Sequence, residues 1–118
     1  MADGLPALVQ ASAAMLPFPA GIDNPINTSA VIKYRIVSDH HAIIPTLSIQ
    51  KAELSSLSSG ERDILSMVAV RLICAVSQAH TIEAVTAVLE CGAHQFTPKG
   101  KTIIIEGWKA VDAAFRAL

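Results

Sequence analysis

Ser58-Ser59-Gly60-Glu61-Arg62-Asp63-Ile64-Leu65-Ser66-Met67-Val68-Ala69-Val70-Arg71-Leu72-Ile73-Cys74-Ala75-Val76-Ser77-Gln78 decides how the rest of the chain packs. Ser58 with Glu61 three residues on is a capping box, in which each side chain satisfies a backbone N–H that the first helical turn leaves open. The spacing predicts a helix running to about Gln78. Its segment Met67–Val76 is apolar apart from Arg71, and a helix that is apolar nearly all round is buried nearly all round. A chain of 118 residues scarcely covers both sides of it. One side is therefore expected to meet something else, either a partner chain or further parts of a larger protein.

Upstream, Leu5, Leu8, Val9, Ser12, Met15 and Leu16 recur at helical steps. Pro6 fits a first turn, and Pro17 and Pro19 end the helix. Gly21–Ser29 is turn chemistry, read as an exposed loop. Ala30–Val37 reads as a short strand with Lys33 and Arg35 on one face and Ile32, Tyr34 and Ile36 on the other. Downstream, Thr81–Glu90 alternates β-branched residues, with a turn at Cys91–Ala93 and a return strand at His94–Thr97. A second turn is expected at Lys99–Lys101, then a third strand at Thr102–Glu106. Gly107-Trp108 opens a terminal helix with Val111, Ala114, Phe115 and Leu118 on one side. The fold class expected is α+β, with helices packed on a small antiparallel β-meander.

The chain is 52% hydrophobic and 16% charged, too apolar for disorder. Its net charge of −1 lacks the basic excess of a domain that holds nucleic acid unaided. Cys74 and Cys91 lie in apolar segments without metal-ligand spacing and read as reduced, buried thiols of a cytoplasmic protein. No signal peptide and no membrane-spanning run is read, and no Gly-rich phosphate loop or paired-carboxylate motif.

The chemistry concentrates in Ser38-Asp39-His40-His41-Ala42-Ile43-Ile44-Pro45-Thr46. Pro45 fixes its own φ and pushes Ile44 towards extended geometry. Ile43 and Ile44 are expected to anchor in an apolar layer, which holds the imidazoles in place from one side. As a bare pattern, Asp39-His40-His41 also reads as a polar turn with Asp39 capping backbone N–H groups. A shared metal ion is disfavoured, because neighbouring side chains on an extended chain point to opposite faces.

The segment Asp39–Thr46 resembles the HHAIIPT segment of type IA DNA topoisomerases, most closely the bacterial topoisomerase III branch. Leu57–Leu72 is similar to the helix that follows in that family. Phe96-Thr97-x-Lys99-Gly100 and Gly107-Trp108-x-x-Val111 resemble its next segment. The order agrees from about Val31 to Val111. The family's Tyr-Pro-Arg-Thr-Asp-Ser motif, which carries the nucleophilic tyrosine, is absent here, and Tyr34-Arg35 is not a copy of it. The acidic Toprim domain that binds Mg²⁺ is absent too.

The resemblance implies an internal fragment, inactive alone. Residues 1–56 would close the tyrosine-bearing domain, and 57–118 would supply a helix and part of a β-rich arch. Its partners would be single-stranded DNA and the rest of the parent chain, with Mg²⁺ held by the missing Toprim domain. By the same resemblance His40 matches the histidine near the scissile phosphate, as a phosphate ligand or proton-transfer helper. His41 would support it or touch DNA, and Lys33, Arg35, Lys99 and Lys101 are candidate DNA-backbone contacts, with solvated surface charge as the plainer reading. Two other classes stay open: a free-standing module that self-associates through its apolar helices, and a small nucleic-acid-binding domain.

Overall fold

The computed structural model describes residues 4–22, 26–32 and 40–118. Two parts make up the molecule: a helical base and a two-stranded β-ribbon that projects from it. In the base, α1 (Leu5–Met15) and α3 (Trp108–Arg116) both pack on α2 (Ser59–Val76).

Local chemistry accounts for the helix ends. Pro6 sits in the first turn of α1, where its missing N–H costs nothing, and the helix stops at Met15, two residues before Pro17. Ser12 is fully buried, and its hydroxyl donates to the Leu8 carbonyl at 2.8 Å, so it enters the core without an unpaired polar atom. The capping box of α2 forms as its sequence predicts. Ser58 N–H donates to Glu61 Oε2 at 2.8 Å, and Glu61 N–H donates to Ser58 Oγ at 3.3 Å.

One apolar cluster holds the base together. Ala69, Val70, Leu72, Ile73 and Val76 of α2 meet Leu5, Leu8, Val9 and Leu16 from the α1 region and Val111 of α3. Phe18, just past α1, lies against Phe115 of α3 with ring centroids 6.5 Å apart. The Gly21–Ser29 loop is tied down at its far end, where Asn27 N–H donates to the Val76 carbonyl at 2.9 Å. The other side of α2 is bare, as its composition implied: Ile64 is 61% and Met67 48% exposed, with Arg71 exposed beside them.

The ribbon is built from β1 (Thr81–Thr86), β2 (Leu89–Cys91), β3 (His94–Phe96) and β4 (Lys99–Ile105). β1 pairs antiparallel with β4, and β2 with β3. A hydrogen bond from Ala87 N–H to the Pro98 carbonyl, 3.0 Å, bridges the two ladders. The α+β class and the antiparallel pairing hold, but Lys99-Gly100-Lys101 is not a turn. Gly100 pairs with Val85 and lies inside β4, so the chain reverses once, at Gly92-Ala93. Gly92 has φ +61°, a value glycine reaches without strain. Every residue from 81 to 106 is exposed. The projection gives a radius of gyration of 19.6 Å, where a compact chain of this length would have about 13–14 Å.

The strand expected at Ala30–Val37 falls largely outside the described residues, and Ala30 itself closes a 3₁₀ turn, Thr28–Ala30. Cys91 is exposed on the ribbon and is not a buried thiol; Cys74 is half-buried, and both are unpaired.

Candidate nucleic-acid interface

The histidine segment runs without regular structure into a 3₁₀ turn, Leu47–Gln50, that packs on α1. Pro45 is buried and Ile44 packs against the core cluster, so the segment is fastened at its C-terminal end. Ile43 is not part of that anchor: at 86% exposure it points to solvent. Ile43 and Ile44 are adjacent on an extended backbone, so only one of them can face the core. His40 and His41 are both exposed, three or four residues from the Ile44–Pro45 anchor. Lys33, Arg35 and Asp39 lie outside the described residues. Among the described residues no cluster of three or more His, Cys, Asp or Glu is placed to hold a metal ion.

A second cationic feature lies in β4, at Lys99 and Lys101, the residues expected to form a turn. In β4 they are two residues apart and share one face of the ribbon, about 7 Å from one another. Their cross-strand partners are Thr86 and Ala84, while Glu83, opposite Thr102, belongs to the other face. The lysine face of β1 and β4 thus carries no carboxylate. Alternation within a β-branched run was the signal that could have found this. At the closed end of the ribbon, Gln95 Nε2 donates to Glu90 Oε1 at 3.0 Å across β2 and β3.

Gly107-Trp108 has a structural role. Gly107 adopts φ +57°, and a Cβ there would collide with the carbonyl oxygens of Gln78 and Ala79, the latter at 2.6 Å. Trp108 is half-buried, and Lys109 Nζ lies 5.8 Å from its ring centroid. Burial pushes the Cys74 thiol pKa up; Asp112 adds to the rise and Arg71 opposes it. Cys74 therefore stays protonated at neutral pH. It is a weak donor to the Trp108 carbonyl at 3.6 Å and not a nucleophile.

Among the described residues, no helix is long and apolar enough to cross a membrane. No solved structure matches this chain. DNA topoisomerase 3 of Bacillus subtilis strain 168 is 45% identical over 75 residues, 64% of this chain and 10% of that protein. DNA topoisomerase 3 of Bacillus licheniformis is 41% identical, and that of Bacillus anthracis 39%, over the same shares of chain and protein. The chain thus spans about a tenth of the length of these relatives. The family described as DNA topoisomerase matches residues 7–116, nearly the whole chain, so the protein belongs to the type IA DNA topoisomerases that its histidine segment resembles.

Proposed function

We propose that this chain works as part of a type IA DNA topoisomerase, an enzyme that cuts and rejoins one DNA strand through a 5′-phosphotyrosyl intermediate. It would carry the end of the tyrosine-bearing domain in residues 1–56, and a helix and part of the β-rich arch in 57–118. The observation that carries this reading is the setting of His40. An exposed imidazole stands a few residues from the Ile44–Pro45 anchor, in a segment that resembles the family's motif.

In the reaction, a tyrosine outside these residues attacks a phosphodiester. The tyrosyl oxygen–phosphorus bond forms, the bond to the 3′ oxygen breaks, and the phenolic proton ends on the departing 3′ oxygen. His40 donates a hydrogen bond to a phosphate oxygen as charge develops there, or passes the proton to the leaving oxygen. His41, Lys33 and Arg35 contribute contacts to the single-stranded DNA backbone, which position it without reading sequence. Mg²⁺ belongs with a Toprim domain. The described residues here hold no carboxylate cluster that fits the ion, so no step is routed through it. A cytoplasmic location follows from the same reading.

His40→Ala in the full-length enzyme carrying this segment is expected to slow cleavage and religation by about 100-fold or more. Binding of single-stranded DNA should change far less. Unchanged rates would remove His40 from the mechanism. The 118-residue chain alone is expected to leave a supercoiled plasmid uncut. The bare apolar residues of α2 and the ribbon support a second reading, self-association of the chain. Light scattering at micromolar concentration tests it, and a clean monomer argues against it.

A further inference from the structure

The chain passes between base and ribbon in two segments, Ser77–His80 on the way out and Glu106–Trp108 on the way back. Two hydrogen bonds link these segments, and a third contact ties the returning one to α2. Trp108 N–H donates to the Gln78 carbonyl at 2.9 Å. His80 Nδ1 lies 3.0 Å from the Glu106 carbonyl, and since a carbonyl only accepts, Nδ1 carries the proton. The Cys74 thiol, on the buried length of α2, reaches the Trp108 carbonyl at 3.6 Å. Between them stands Gly107 at φ +57°, packed so closely on the Gln78 and Ala79 backbone that no side chain fits. Beyond this point residues 81–106 are all exposed.

We infer that Gly107 and His80 form a joint that sets the angle of the ribbon to the helical base, acting as positioning residues for the ribbon and not as supports of the core. Neither belongs to the apolar cluster that holds α1, α2 and α3 together. The lever is long. Eleven residues from Thr81 to Cys91 reach about 36 Å at strand geometry, so a 10° tilt at the joint moves the far end by roughly 6 Å. The orientation of the Lys99–Lys101 face follows that tilt. The inference does not depend on the DNA chemistry proposed above, because its readout is a distance within the chain.

The test places one fluorophore on Cys91 at the ribbon end and another on a cysteine introduced by Gln10→Cys on the exposed side of α1. Cys74→Ser in the same background prevents a third label and keeps a donor to Trp108. Distances are read by single-molecule energy transfer in the full chain, with helix content read by circular dichroism. Gly107→Ala is expected to shift or broaden the distance distribution by several Å with helix content retained. His80→Ala is expected to broaden it less, and His80→Asn, whose amide can donate to the Glu106 carbonyl, to restore it in part. Should Gly107→Ala unfold the chain, the two His80 variants decide the matter. Distributions in His80→Ala and Gly107→Ala that superimpose on the parent's would overturn the inference, as would an equal loss of helix content in His80→Ala and His80→Asn.

Discussion

The helical base and the ribbon both carry many large apolar residues but reach order by different routes. Val70, Ile73 and Val76 are at most 1% exposed and draw their stability from removal of apolar surface from water. Ile82, Val85, Ile103 and Ile104 lie between 44% and 58% exposed and gain little from burial. The ribbon stands on its backbone ladder, its cross-strand pairs and its joint with the base. An isolated two-stranded ribbon is marginal in water. The comparison teaches that hydrophobicity along a strand reports the surface it is suited to meet, not the surface it meets within this chain.

The sharpest way to break that contrast is a pair of truncations read by urea unfolding. Ile73→Ala is expected to cost about 3 kcal/mol, since it opens a cavity in a fully buried site. Ile103→Ala, across from Ile82, should cost less than about 1 kcal/mol. Equal costs would mean the ribbon is packed in solution. Ser58→Ala sits between these, at about 1 kcal/mol, because it removes one half of a formed capping box.

That box also has a pH signature. Hydrogen bonds from the Ser58 backbone and then its side chain hold the Glu61 carboxyl below its ordinary value of 4.5. A carboxyl lowered on folding contributes stability that is complete above about pH 4.5 and is lost as pH falls through the folded value. Ser58→Ala should therefore narrow its deficit against the parent as the solution is acidified below that point. A deficit that stays constant with pH would disconnect Glu61 from the cap. The smallest effect concerns dynamics. Ribbon amides should exchange with solvent well before those of Ala69–Val76, although both are hydrogen-bonded.

Much of the base was legible because its signals are local. Ser58 with Glu61, Pro6 in a first turn and Pro17 after the last one each act through neighbours a few residues away. The bare side of α2 was legible for a related reason, as composition alone showed more apolar surface than one short chain covers. The histidine segment was readable as a motif, and Pro45 as its anchor, but not which of Ile43 and Ile44 would face the core. The ribbon was misread at Lys99-Gly100-Lys101, where glycine between lysines has the chemistry of a turn. Pairing of Gly100 with Val85 overrides that preference.

By itself, the amino-acid order determined the three helices, their caps and stops, the α+β class and the motif that places the chain in its family. These depend on spacing and on backbone groups close in sequence. Only the tertiary structure decided that β1 pairs with β4, and that Gly107 must be glycine because the backbone at Gln78 and Ala79 leaves no room for more. Each of those depends on atoms some fifteen to thirty residues away being brought into contact, which no local pattern specifies.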